Sequence, residues 1–370
     1  MPTTYEISSQ AKQHPSSSAP AIGRISRVFE VDPLHDPRWK AFVDWHPDAS
    51  VFHRVEWLQA LKSCYGYQPV ALTLSPPESS IENALLYCEV RSRLTGKRLV
   101  SIPFSDHCEP LISSREELQL FLAHLARKVD HDGWRYFELR PILQSFNDKQ
   151  NFGISQSYYC HRLDLRLSEQ ELFRKFHKDS VQRKIRRAER EGLRSEEGTS
   201  ETLLRHFYSL MIMTRRGQGL PPQPLNWFRS VIRSMGTNAQ ISVAFKGETP
   251  VASILTLTTK RTLVYKYGCS DSRFNNLGGT ALLFWNAIRQ AKATSIEEFD
   301  LGRSDTENAG LIRFKEQWGA ERSSVNYWRY PFRAASSNPE SLIRHAKKLI
   351  SVAPDRALVL LGNLLYRHVG

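Results

Sequence analysis

The sequence predicts an α/β fold of the α+β kind, with mixed, mostly antiparallel sheets flanked by helices and a helical C-terminal segment. Three observations predict it. The order helix, three strands, helix, strand occurs twice along the 370 residues. Helix-type spacing and strand-type alternation of apolar residues follow one another in that order. Turn signals built from Pro, Gly and Asn separate the elements. At ~150 residues per domain the length itself favours two units.

In the first half, VEWLQALKSCYG places Val55, Leu58, Leu61 and Cys64 at helical spacing and stops at Gly66. Strands are expected at PVALTLS (69–75), NALLYCEVRS (83–92) and RLVSIPFS (98–105), with Pro76-Pro77 and Thr95-Gly96 as turns. REELQLFLAHLARKVDHDG is the next helix, apolar at Leu118, Phe121, Leu122, Leu125 and Val129, and WRYFELRP is a strand. The second half repeats the pattern. Helices at 201–219 and 224–236 precede the strands AQISVAFKG, TPVASILTLTT and TLVYKYGCS, then the helix GGTALLFWNAIRQAKA and the strand EEFDLG. The residues themselves do not repeat, only the elements, which points to a structural duplication.

Between the halves the strand YYCHRLDLRL leads to Ser168, an N-cap with Glu171 three residues on, the capping-box spacing. Helices EQELFRKF and DSVQRKIRRAEREG follow and end at Gly192. Residues 1–22 are polar and Ser-rich and are expected to form a flexible tail. Units are expected at 23–160 and 161–335, with helices SLIRHAKKLISV and DRALVLLGNLLYRH in a final segment, 336–370.

Composition narrows the function. Hydrophobic residues at 41% and charged residues at 24% exclude wholesale disorder. The 51 Lys and Arg against 38 Asp and Glu leave a net charge of +13, which points to an anionic partner. No apolar run reaches the ~18 residues of a membrane span. Five scattered cysteines without a CxxC pair argue against disulfides and zinc, so a cytoplasmic setting is expected. The sequence has no HExxH, GxSxG, P-loop or Rossmann fingerprint.

Three segments carry the candidate chemistry. From Arg174 to Arg194 nine Lys and Arg outnumber three acids, nearly half of the whole excess. There Arg183, Arg186, Arg187 and Arg190 share a helix face opposite Val181, Ile185 and Ala188, and with Lys178 they offer donors to phosphate; a solvated salt-bridged face is the plainer alternative. In NNLGGTALLFW, Gly278, Gly279 and Thr280 open a helix after a strand, where backbone N–H groups and the helix dipole favour an anion. In FDLGRSDTENAGLIRFKEQWGAE, Asp300, Gly302, Arg303 and Asp305 crowd the end of a strand, and Phe314 precedes Lys315, whose ammonium suits a developing oxyanion. His107 and His177 lie near these regions and read as hydrogen-bonded structural residues.

On these residues the chain resembles a known group. FHKDSVQRKIRRAEREGL, YKYGCSDSRFNNLGGTALLFWNAI and FDLGRSDTENAGLIRFKEQWG, with VFHRVEWLQALKSCYGYQPV more loosely, are similar to the doubled GNAT acyltransferases of the FemAB/FemX and BioF2-like kind, which are associated with envelope and exopolysaccharide systems. The resemblance implies transfer of an acyl or aminoacyl group to an amine on a cell-envelope, peptidoglycan or exopolysaccharide precursor. It implies Lys315 as electrostatic stabiliser, Phe314 as its support and Tyr267 near the reacting carbonyl. Asp300, Asp305, Asp106 and Glu109 are the candidate bases, the alternative being that the amine loses its proton without one. Arg183, Arg186, Arg187, Lys178, Gly278, Gly279, Thr280 and Arg303 would hold donor or substrate phosphates. Phe274 and Leu277 stand where acetyl-CoA enzymes of the group carry Gln/Arg and Gly, so acyl-CoA and aminoacyl-tRNA both remain as donors; no metal and no DNA partner are expected. A peripheral inner-membrane contact through 339–370, and a non-catalytic anion- or RNA-binding module, are the competing readings.

Overall fold

A computed structural model describes residues 27–142, 152–332, 350 and 352–370. One twelve-stranded mixed sheet runs through both halves in the order β1-β2-β3-β4-β5-β12-β6-β11-β10-β9-β8-β7. In the first half the strands are β1 (Phe29–Val31), β2 (Gln68–Thr73), β3 (Leu85–Ser92), β4 (Gly96–Val100) and β5 (Phe137–Leu139). In the second they are β7 (Arg194–Gly198), β8 (Ala239–Lys246), β9 (Thr249–Thr259), β10 (Thr262–Ser270) and β11 (Glu298–Asp305). The long β6 (Gly153–Asp164) and β12 (Glu321–Tyr330) join them at the centre.

The sheet order makes the duplication explicit. Each strand of the first six matches the strand six places later, and the last strand of each unit is exchanged. β12 pairs with β5, and β6 pairs with β11. β6 and β12 also pair with each other along most of their length. The two parallel pairs, β4 with β5 and β10 with β11, are equivalent in this scheme. The expected boundary at residues 160 and 161 falls inside β6. The strand predicted to reach Ser105 ends at Val100, because Ile102 and Phe104 adopt positive φ of 51° and 61° and turn the chain into a loop.

Helices cover three cores. Between the units lie α1 (Pro37–Trp45), α2 (Val55–Tyr65), α6 (Glu201–Gly217) and α7 (Leu225–Met235). Trp57 of α2 and Trp227 of α7, both without exposure, meet edge to face at 5.2 Å in this shared core. α3 (Arg115–His131) covers the outer face of the N-terminal unit, with the Ser114/Glu117 capping box at its start. The outer face of the C-terminal unit is covered by α4 (Glu169–Lys175), α5 (Arg183–Arg190), α8 (Gly279–Ala293) and α9 (Ala309–Glu316). The Ser168/Glu171 capping box opens α4 as expected, and a π-helical turn, Lys178–Gln182, precedes α5.

The helix Asp355–Leu365 and the last residues bridge both units. The Tyr67 hydroxyl donates to the Arg367 carbonyl at 3.1 Å and Arg98 Nε to the Gly370 carbonyl at 2.8 Å, while the Tyr366 hydroxyl donates to the Pro221 carbonyl at 3.1 Å. The tail at 1–22 and nearly all of SLIRHAKKLISV lie outside the described residues. Among the described residues no helix is long and apolar enough to cross a membrane.

Candidate functional site

β10 and β11 pair over only three rungs, from Thr262–Glu298 to Val264–Asp300, and then part. Both strands bulge just beyond the last rung. In β10 the ladder to β9 slips between Tyr265 and Tyr267, leaving Lys266 as the extra residue. In β11 the ladder to β6 slips between Asp300 and Arg303, with Gly302 at φ +70°. A bulge frees backbone polar groups, and buried ones need partners. The Gly302 amide donates to Asp300 Oδ1 at 2.7 Å, and Lys315 Nζ donates to the Gly302 and Arg303 carbonyls at 2.8 and 2.9 Å.

That placement corrects the expectation for Lys315. Its ammonium does not reach out from the FK pair; it is buried beneath the β11 bulge and holds it. Burial pushes its pKa down to about 8. Phe314 does not touch the site either, because its ring packs edge-on against Phe284 and Trp318 in the outer core. The Tyr267 hydroxyl accepts a hydrogen bond from Trp227 Nε1 at 2.9 Å inside the shared core, a structural contact rather than one with a substrate carbonyl.

Asp300 faces the other way, into the junction between the units. Its Oδ2 lies 2.8 Å from His107 Nε2, and the Cys160 thiol stands 3.6 Å from its Oδ1. An ionised carboxylate only accepts, so Nε2 carries the hydrogen. Burial pushes the Asp300 carboxyl up, but the His107 hydrogen bond and charge, Arg162 and the Gly302 amide together hold it well below the usual range. His107, Cys160 and Asp300 gather their donor atoms within 4.8 Å. As metal ligands they fit poorly, because the carboxylate and the imidazole are engaged with one another and burial pushes the thiol well up.

Asp106, from the same loop of the N-terminal unit as His107, sits over the parting of the strands. It accepts from Lys266 Nζ at 2.7 Å, lies 4.0 Å from Arg303 Nε, and closes on Gly302, where a Cβ would meet its Cγ at 3.3 Å. Arg303 is no part of a phosphate clamp with α5. It stacks over Tyr158 at 4.2 Å and donates to the Tyr327 hydroxyl at 2.9 Å, on the central strands. Next to this cluster a cavity of about 730 Å³ opens between the units, walled by Val51, Phe52, His107, Arg162, Glu298 and Asp300 among others.

The predicted anion-binding residues gather on the opposite, outer face. Gly278 caps the start of α8, and its φ of +84° and close approach to the Lys184 backbone admit no side chain. α5 is therefore seated directly on the N-terminus of α8, where first-turn N–H groups lack intrahelical partners. Thr280 is half-buried in that first turn, and Gly279 packs against Ala252 and Val251. Lys178, Arg183 and Arg186 are exposed and Arg187 is half-buried. Their pairings are loose: Arg183 with Asp179 at 3.5 Å and Arg187 with Glu191 at 3.7 Å, while Arg186 lies over the Phe173 ring at 5.5 Å.

The structure thus divides the predicted residues between two places: the basic residues and the glycine turn on the outer face, and Asp300 with Arg303 in the junction. His107, Lys266, Arg162 and Cys160 belong to the second place and were not singled out as site residues. The run Ser105-Asp106-His107-Cys108-Glu109 was the available signal, a dense polar string directly after an apolar strand.

Comparison with known proteins agrees with this architecture. Residues 175–316, which lie in the C-terminal unit, match the family model of the acetyltransferase (GNAT) domain. The fold of the described residues is similar to solved structures that include a tandem GNAT protein. FemX is 12% identical with a TM-score of 0.64, covering 87% of this chain and 100% of its own. A conserved protein of unknown function from Bacteroides thetaiotaomicron is 11% identical with a TM-score of 0.54, covering 82% and 99%. A tandem GNAT protein from the clavulanic acid biosynthesis pathway is 10% identical with a TM-score of 0.51, covering 84% and 99%. No curated protein sequence matches the chain.

Proposed function

We propose that the protein is an N-acyltransferase that moves an acyl or aminoacyl group from a phosphate-bearing donor to an amine. The observation that carries this reading is the seating of α5 on the start of α8. It brings exposed guanidinium groups against the first turn of α8, the helix that follows β10, and β10 is the strand that parts from β11. Donor phosphates bound there would leave an acyl arm within reach of the parted strands. Lys315 would act indirectly, keeping the β11 bulge in shape and adding positive charge behind it.

The donor is an acyl-CoA or an aminoacyl-tRNA, both of which present phosphates to such a surface. The acceptor is an amine on a sugar or peptide precursor of the cell envelope or an exopolysaccharide, met in the cytoplasm or at the inner face of the membrane. Val352, Leu360, Leu364 and Val369 are exposed on the C-terminal segment and support a peripheral membrane contact. Equilibrium binding of coenzyme A, aminoacyl-tRNA and acyl carrier protein tests the donor assignment. One of them is expected to bind in a way that weakens steeply with salt; salt-independent binding, or none, overturns it.

A further inference from the structure

The cavity between the units holds a feature that the outer-face donor site leaves unused. His107 is a wall residue of the cavity and is 4% exposed. Its Nε2–H is committed to Asp300, and its Nδ1, itself buried just behind the wall, has no hydrogen-bond partner among the described residues. A buried nitrogen left unpaired is costly, and a polar group in the cavity that reached it would satisfy it. The Asp300 carboxylate fixes the tautomer in which Nδ1 carries the lone pair. A carboxylate orienting an imidazole whose second nitrogen remains able to take a proton is the working geometry of a general base.

Position adds to this. Val264 and Asp300 are both wall residues of the cavity and form the last rung before β10 and β11 part. The cavity therefore ends where the strands separate. Its volume of about 730 Å³ suits a substrate fragment of ordinary size. Glu109 Oε1 stands 3.9 Å from Nδ1, and Glu298 and Asp48 also line the wall. Arg162, Lys260 and Arg261 line the same wall, so its charge is mixed and the acceptor enters as the neutral amine.

We propose that the interunit cavity receives the acceptor amine and that His107 Nδ1 takes its proton, with Asp300 as positioning residue. This rests on the N-acyltransferase reading. The amine nitrogen attacks the donor's carbonyl carbon and forms the C–N bond. The proton it sheds passes to Nδ1. The bond from that carbon to the donor's sulfur or oxygen breaks, and the leaving group takes the proton back from His107. No further reactant is required.

The groups that set the basicity of His107 come from every side. Asp300 lies on β11, Glu109 on its own loop, Arg162 on β6, Glu298 on β11 and His53 on the segment before α2. Burial lowers the imidazole's pKa, but the Asp300 hydrogen bond and charge, helped by Glu109, outweigh it and raise the group above 6.5.

The test is the pH dependence of transfer to glucosamine, with acetyl-CoA and alanyl-tRNA as donor probes. In the wild type the rate should rise with pH through a limb above 6.5. His107→Gln keeps a donor for Asp300 without a base; its kcat should fall about 100-fold with the donor KM unchanged. Asp300→Asn should move the acid limb down by about one pH unit. Imidazole should restore part of the rate of His107→Ala. Transfer by the wild type together with a wild-type profile in His107→Gln overturns this proposal alone. No transfer by the wild type to any amine overturns it together with the acyltransferase reading.

Discussion

Asp106 and Lys266 form an ion pair of 2.7 Å across the junction of the two units, at the point where β10 and β11 separate. Lys266 is the bulged residue of β10, and Asp106 belongs to a loop of the other unit. Burial lowers the ammonium's pKa and Asp106 partly restores it; burial raises the carboxyl, and Lys266 and Arg303 more than offset that. One contact therefore joins the shape of the bulge to the alignment of the units.

Removing one partner of a buried pair leaves an uncompensated charge. Lys266→Met should cost about 3 kcal/mol in denaturant unfolding, and the double variant Lys266→Met/Asp106→Asn should recover part of it. If the single variant unfolds at the wild-type midpoint, the pair does not hold the junction.

Gly278→Ala should be costly for two reasons, the positive φ and the Lys184 backbone beside it. A loss of roughly 2–3 kcal/mol is expected, together with weaker donor binding as α5 is pushed from α8. Gly192→Ala is the control, since Gly192 also has positive φ but open space around it, so about 1 kcal/mol is expected there. Equal losses in both variants would show that the α5–α8 contact is loose.

Acidification should destabilise the fold well before the carboxylates titrate. Burial pushes His53 and His161 down to about 4, from an unfolded value of 6.5. Between those values the unfolded chain binds more protons, so stability falls as pH drops through the window. His107 runs the opposite way, because its raised pKa gives stability that is complete below 6.5 and lost as pH rises through its folded value. Burial lowers His46 as well, so three groups oppose one, and the denaturant midpoint should fall from pH 7 to pH 4.5. Asp300 and Asp106 extend the loss further into acid. A flat midpoint across this range would contradict the burial of the neutral histidines.

Flotation with anionic vesicles tests the exposed leucines of the C-terminal helix. The wild type should float and Leu360→Ser/Leu364→Ser should remain in solution; flotation of both would assign the contact elsewhere.

Much of the fold was legible because its strands and helices carry strong local signals. β9 and β10 coincide with the apolar runs TPVASILTLTT and TLVYKYGCS, and Gly66 in the left-handed region closes α2 as its position implied. β12 was missed because ERSSVNYWRY is largely polar and gains its place by pairing with β6, a partner more than 150 residues away. The exchange of β6 and β12 has no local signature at all. The basic face of α5 was legible because charge clusters along one helix. The junction site was not: His107 and Asp300 are 193 residues apart, and each alone looks like an ordinary buried polar residue.

The most direct measurement is mass spectrometry of an amine acceptor incubated with each donor and the protein. The wild type should add the mass of one acyl or aminoacyl group, with one donor far ahead of the others. Arg183→Ala/Arg186→Ala/Arg187→Ala should cut that transfer tenfold or more at ~0.15 M salt by weakening donor binding. Absence of any mass addition with acyl-CoA, aminoacyl-tRNA and acyl carrier protein alike, or full activity in the triple variant, would contradict the account.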